Sequence, residues 1–124
     1  MRGATGQRRR FGRAAHLKAG RDFNRLRQQG QRLVCGCLIA NWQEVPAVSA
    51  SRLGVITGAR LGNAVARSRA RRLLRESFRL HQHALARPID LVLVARPSIA
   101  RKRFAEVETD FLATLRKAGL LKET

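Results

Sequence analysis

Residues Arg67-Ser68-Arg69-Ala70-Arg71-Arg72-Leu73-Leu74-Arg75-Glu76-Ser77-Phe78-Arg79 carry the densest chemistry in the chain, six guanidinium groups within thirteen positions. At 3.6 residues per turn, Ser68, Arg71, Arg72, Arg75 and Arg79 fall on one narrow helix face. Ala70, Leu73, Leu74, Ser77, His81 and Ala84 fall opposite, with Phe78 and Leu85 toward the edge of that apolar side. Such a helix buries one stripe and presents a ridge of planar, permanently charged forks. The one acid, Glu76, stands four residues after Arg72, the spacing of a pair along the helix. Ordinary surface helices intersperse both signs; this one suits a polyanion.

Other reactive side chains offer less. Cys35 and Cys37 lack the two further soft ligands a structural zinc site needs, so buried thiols are expected. His81 and His83 lie about 200° apart on a helix and do not share a metal; His81, on the apolar face, reads as a packed histidine. The glycines of Gly58 to Gly62 lack the following lysine and hydroxyl of a nucleotide-phosphate loop and are turn residues. No paired carboxylates or nucleophile–base arrangement stands out, so the protein alone is not expected to be a nuclease and no cofactor or metal is assigned to it.

The whole chain is basic. Its 124 residues include 26 Lys and Arg against 8 acids, a formal charge of +18. Twenty-two of the cations are arginine, which suits bidentate phosphate contacts and which a GC-rich coding sequence would also produce. A compact body with that charge repels itself unless an anionic partner is near, and nucleic acid is the leading candidate. Hydrophobic residues at 44% exclude global disorder, and the length favours one domain. No run of 18 apolar residues is present and residues 1–16 lack the apolar middle of a secretory signal. Those sixteen residues, with five arginines and no acid, read as a disordered basic arm rather than a transit peptide, ahead of a domain over residues 17–124. Two cysteines fit a reducing compartment, so the cytoplasm is expected, with no membrane partner and no obligate protein partner.

The elements that must position the arginines follow from periodicity. Arg21 to Gln29 reads as a short helix stopped by Gly30, and Leu33 to Trp42 as one strand with Cys35 and Cys37 on the same side. Arg52 to Thr57 alternates Leu53, Val55 and Thr57 against Arg52, Gly54 and Ile56, a second strand. The arginine helix runs from about Ala64 to Ala86. Ile89 to Ala95 is nearly all apolar, as a strand covered on both faces would be, and Arg103 to Lys117 is a last helix. Four of the eight acids lie from Arg101 onward, so that end is expected not to bind anions. The order helix-strand-strand-helix-strand-helix predicts an α+β fold, a small sheet with helices packed on it.

Arg52-Leu53-Gly54-Val55, Leu61-Gly62-Asn63-Ala64-Val65 and the segment Arg67 to Arg79 together resemble the signature of the bacterial ribonuclease P protein component. The flanks agree: Leu17 through Phe23 to Gly30 is similar to the family's opening helix, and Asp90 to Pro97 to its last strand and Ala-Arg-Pro turn. The resemblance spans about Leu17 to Lys117. It implies a small mixed sheet, with a parallel strand pair around the arginine helix, of the type shared with a ribosomal protein domain. It further implies the protein subunit of an RNA-based endoribonuclease that removes 5′ leaders from precursor tRNA. In that family the catalytic site lies in the RNA, and Mg2+ is expected for the RNA–protein holoenzyme. Arg60, Arg67, Ser68, Arg69, Arg71, Arg72, Arg75 and Arg79 would bind the ribonuclease P RNA, Arg69 being the one most suited to packing against the sheet edge through its stem. Phe23, Arg27, Asn41 and Ile56, with Arg71 and Arg75, would line a cleft for the single-stranded leader. Three positions depart from the family's pattern: Ser68 replaces an asparagine, Ala59-Arg60 a pair of lysines, and Arg27 a second aromatic. A structural RNA-binding protein, such as a ribosomal protein, is the alternative that composition alone permits.

Overall fold

The computed structural model describes Leu17 and residues 19–122; the basic arm expected over residues 1–16 lies outside them. Helix α1 (Ala19–Gln29) leads into β1 (Gln31–Cys35), β2 (Leu38–Glu44) and β3 (Arg52–Ile56). Helix α2 (Ala64–His81), strand β4 (Ile89–Ala95) and helix α3 (Phe104–Lys117) follow. The four strands form one mixed sheet in the order β1-β2-β4-β3. β1, β2 and β4 are antiparallel neighbours, while β3 runs parallel to β4, the two flanking α2 in sequence. The α+β class expected from the sequence is therefore the one found.

One element differs. The single strand expected from Leu33 to Trp42 is a hairpin, and the element order gains a strand. The chain reverses at Gly36-Cys37, between Cys35 and its cross-strand partner Leu38. Gly36 has φ 59°, the conformation required at the first central position of a II′ hairpin turn. The reversal is masked in the sequence because apolar residues continue on both sides of it. α3 fixes the turn: Asp110 Oδ2 accepts the Cys37 N–H at 3.0 Å, and a Cβ on Gly36 would collide with that carboxylate. Cys35 and Cys37 thus do not share one strand face, although both are buried free thiols. Burial, reinforced by Asp110, pushes the Cys37 thiol up to about 12. A smaller difference closes α2 at His81 rather than Ala86. Beyond it, Leu85 pairs with Leu121 and Ala86 donates to the Leu120 carbonyl, which draws the chain out of the helix.

The two faces of the sheet serve different helices. Leu38, Ala40 and Trp42 of β2, Leu53 of β3 and Ile89, Leu91 and Leu93 of β4 face the main core with α2 and α3. α2 contributes Leu73, Leu74 and Phe78, so Phe78 sits fully inside rather than at the edge of the apolar stripe. α2 is started by Asn63, whose Oδ1 accepts the Ala66 N–H at 2.9 Å. His81 ties α2 to α3 through Nε2 to Glu108 Oε2 at 2.6 Å, a half-buried bridge rather than a sealed core histidine.

α1 packs on the other face, where Leu17 and Leu26 meet Val92. The approach is close: a Cβ on Gly30 would lie 2.4 Å from the Trp42 carbonyl oxygen, so the end of α1 admits no side chain. Polar contacts then fix the helix laterally. Asp90, 1% exposed, sits on β4 and accepts Arg52 Nε at 3.0 Å, Arg52 Nη2 at 2.8 Å and Arg25 Nη2 at 2.8 Å. Arg25 also donates to Gln43 Oε1 at 2.7 Å, joining α1 to β2. Burial alone would raise the Asp90 carboxyl, but the bonds from Arg52 and Arg25 outweigh it and hold the group below its ordinary value.

Asp90→Asn leaves Arg52 without a counter-charge and leaves Arg25 only its pair with Asp22 at 3.3 Å. It is expected to cost about 3 kcal/mol, the low end for a buried pair because both arginines keep contact with water. A lowered folded-state pKa means that this contribution is complete above the unfolded value near ~3.9 and is lost as pH falls through the folded one. Urea denaturation of both proteins from pH 7 down to pH 3 checks this: the gap between them should hold constant to about pH 4 and narrow below it.

Candidate nucleic-acid interface

α2 presents its arginines as expected, but the protein uses them unequally. Arg67 Nη1 donates to the Gly62 carbonyl at 2.7 Å, bracing the turn before the helix. Arg71 Nη2 donates to Thr57 Oγ1 at 2.7 Å, which aims it toward the end of β3. Arg69 leaves the ridge: its guanidinium bonds the carbonyls of Ile99 and Lys102, in the loop joining β4 to α3. Its guanidinium group is thus held by the fold. Glu76 pairs with Arg79 rather than with Arg72, accepting Arg79 Nε at 2.9 Å. That contact holds the Glu76 carboxyl below its ordinary range.

The consequence is a sorted ridge. Among the described residues, Arg72 and Arg75 are exposed with no side-chain bond to the protein, and Ser68 is exposed beside them. Together with Arg71 and Glu76 they line a shallow depression of about 280 Å³. Arg60 is exposed on the 3-10 turn Ala59–Leu61, which Leu61 anchors in the core. The arrangement can hold phosphate oxygens: guanidinium forks carried on one helix face can give bidentate contacts.

The residues expected to line a cleft lie on the α1 face of the sheet. Phe23 and Ile56 join Val94 around Leu17, Leu26 and Val92, all three partly open to solvent. Asn41 pairs with Val92 across β2 and β4, hence on the same face. It is only 2% exposed, however, and its Oδ1 is buried without a hydrogen-bond partner, so it lies beneath the cleft surface rather than on it. Arg27 places its guanidinium carbon 5.5 Å from the Phe23 ring centroid. It covers the ring instead of reaching independently into solvent. Arg71, tied to Thr57 one residue after Ile56, stands where the ridge meets the cleft.

Sequence reasoning missed the residues that hold the cleft open. Arg25, Arg52 and Asp90 fix α1 laterally, and Ile39, the cross-strand partner of Val94, extends the half-buried floor. The signal was present in β4, whose alternate positions Asp90, Val92 and Val94 mark a second covered face. Among the described residues no group of three or more His, Cys, Asp or Glu is arranged to hold a metal ion, and no helix is long and apolar enough to cross a membrane.

Comparison with known proteins bears on the same regions. The family model described as Ribonuclease P matches residues 11–119. The ribonuclease P protein component of Syntrophomonas wolfei is 36% identical over 106 residues, covering 86% of this chain and 88% of that one. The corresponding protein of Chloroflexus aggregans is 36% identical over 114 residues, covering 88% and 81%. Among solved structures, the Staphylococcus aureus RNase P protein superposes with a TM-score of 0.78 at 22% identity, covering 87% of this chain and 98% of that one. The Thermotoga maritima RNase P protein gives 0.73 at 24%, covering 82% and 96%. The fold is therefore shared with these two proteins, and the sequence match extends across both the arginine helix and the cleft. The chain belongs to the family of bacterial ribonuclease P protein components.

Proposed function

We propose that this protein is the subunit of a ribonucleoprotein that removes 5′ leaders from precursor tRNA, binding the catalytic RNA through α2 and the leader through the α1 face of the sheet. The observation that carries the reading is the pairing of two surfaces on one rigid body. A ridge whose Arg71, Arg72 and Arg75 have no carboxylate partner suits RNA phosphates, and a half-buried apolar cleft with an aromatic ring suits unstacked bases. Membership in the family supports an RNA partner; the ribonuclease P RNA and precursor tRNA are the specific partners proposed here.

In this division of labour the chemistry belongs to the RNA, to which Mg2+ is bound. The protein's side chains bind and orient. Arg72 and Arg75 contact backbone phosphates from the ridge, Arg71 sits where ridge and cleft meet, and Phe23 with Arg27 offers a stacked pair to a leader base. Fixed positive charge between two polyanions replaces counterions that would otherwise have to be recruited. The direct test adds the purified protein to a bacterial ribonuclease P RNA and follows leader removal against magnesium concentration. The protein should lower the magnesium requirement and show no cleavage without the RNA. An RNA-binding protein of purely structural role would leave the magnesium curve where it was.

Binding to the RNA subunit should weaken steeply with salt. Each phosphate contact contributes roughly 0.7–0.9 to the slope of log affinity against log salt. Arg72→Ala with Arg75→Ala is therefore expected to flatten that slope by about 1.5, read from filter binding between 50 and 200 mM salt. An unchanged slope would assign both side chains to solvent.

Phe23→Ala is expected to cost about 1–3 kcal/mol of affinity for a tRNA carrying a leader and little for mature tRNA. Phe23 also packs against Leu26 and Val92, so thermal melting is recorded beside binding. Equal weakening toward both tRNAs, or loss of folding, would return Phe23 to a packing role.

A further inference from the structure

The acids from Arg101 onward lead to the expectation that this end does not bind anions; the position in the fold of the loop between β4 and α3, residues 96–103, points the other way. We propose that the RNA-contact surface of α2 continues across this loop, where Arg101 and Arg103, with Arg60 on the turn packed against it, make a second set of phosphate contacts to the same RNA subunit. This rests on the function proposed above.

Placement comes first. Arg69 reaches from α2 to the Ile99 and Lys102 carbonyls, so the loop lies directly against the first half of the arginine helix. The 3-10 turn Ala59–Leu61, carrying Arg60, packs against the 3-10 turn Pro97–Arg101. Buried Ile99 pins the loop to the core, and backbone bonds from Ile99 to Arg96 and from Lys102 to Ile99 make it rigid. A fixed loop positions charge as a helix does, at no ordering cost on binding.

Electrostatics comes second. Arg60, Arg96, Arg101 and Arg103 are all exposed, and none is in an ion pair among the described residues. Arg96 donates to a neutral acceptor, the Gly36 carbonyl, at 2.9 Å, which orients it without cancelling its charge. The acids at the start of α3 are engaged elsewhere. Glu106 accepts the Arg103 backbone N–H at 2.9 Å, Glu108 meets His81, and Asp110 holds the Cys37 N–H with Lys102 Nζ at 3.9 Å. These bonds fix three carboxylates at the start of α3 without cancelling their charge, while the loop itself, residues 96–103, carries Arg96, Arg101, Lys102 and Arg103 and no acid.

The partner's chemistry follows from what the patch lacks. Protein interfaces centre on buried apolar or aromatic anchors. The large exposed apolar residues of the described chain are Val34, Val48, Val65 and Leu80, and none lies in this loop. Guanidinium groups on a loop held against α2 and without an apolar centre fit a backbone of repeated phosphates better than an acidic protein surface.

The test measures binding of the full chain to ribonuclease P RNA across a salt series. Arg101→Ala with Arg103→Ala is set beside Arg101→Lys with Arg103→Lys, and beside the Arg72, Arg75 pair. The alanine pair should flatten the salt slope by about 1–2 and weaken low-salt binding roughly tenfold, with melting unchanged. The lysine pair should restore the slope, because the slope counts charges. If the parent binds steeply and the Arg72, Arg75 pair flattens it while the loop alanines do nothing, the second contact set is wrong and the proposed function stands. If the parent does not bind this RNA, both fall. A third variant, Arg60→Ala with Arg101→Ala, spares the α3 start and should flatten the slope equally; no change in it would also overturn the proposal.

Discussion

β4 is packed on both faces, and both halves of the candidate interface hang from that fact. Ile89, Leu91 and Leu93 point into the core shared with α2 and α3, while Asp90, Val92 and Val94 point toward α1. A strand in this position cannot slip by one residue without exchanging the two sets, which would bury the Asp90 carboxylate among leucines. The central strand therefore fixes the register of the sheet and the seats of the helices on either side. Without it, ridge and cleft would have no defined spacing.

The chain illustrates how far a single sequence reveals a two-faced design. The amphipathic arginine helix was legible because its period is strong, and β4 was legible as doubly covered because it is apolar without alternation. The hairpin at Gly36 was not, since apolar residues on both arms hide a two-residue turn whose only marker is one glycine. Pair choices on the helix were also hidden: Glu76 has two arginines within reach, at i−4 and i+3, and side-chain geometry rather than spacing selects Arg79.

Tertiary placement accounts for the remaining differences. Asn41 belongs to the cleft face by register, yet the packing of α1 buries it, which periodicity within β2 cannot convey. Arg27 and Phe23 are one helical turn apart and so stack on each other, a contact that a reading confined to what each might offer a base leaves out. The acids after Arg101 were legible as charges but not as bonds. Only the fold shows that Asp110 closes the β1–β2 turn and Glu106 starts α3, leaving the loop before them basic.

The arginines divide by the kind of acceptor that holds them. On the α1 side, Arg25 and Arg52 share the Asp90 carboxylate and Arg25 also meets Asp22, so two guanidinium groups face two carboxylates and their role is to locate a helix. On α2, Arg67 and Arg69 are bound by backbone carbonyls and Arg71 by a hydroxyl. Neutral acceptors restrict a guanidinium's rotamers while leaving its full charge to the outside, so the entropy of ordering is met during folding and the electrostatic attraction is kept for the partner. A carboxylate in the same places would have fixed the side chains equally well and removed the reason for having them. Among the described residues the arginines are thus sorted: paired with carboxylates under α1, held by neutral acceptors at Arg67, Arg69 and Arg71, and left unpaired at Arg72 and Arg75, where a polyanion is to lie.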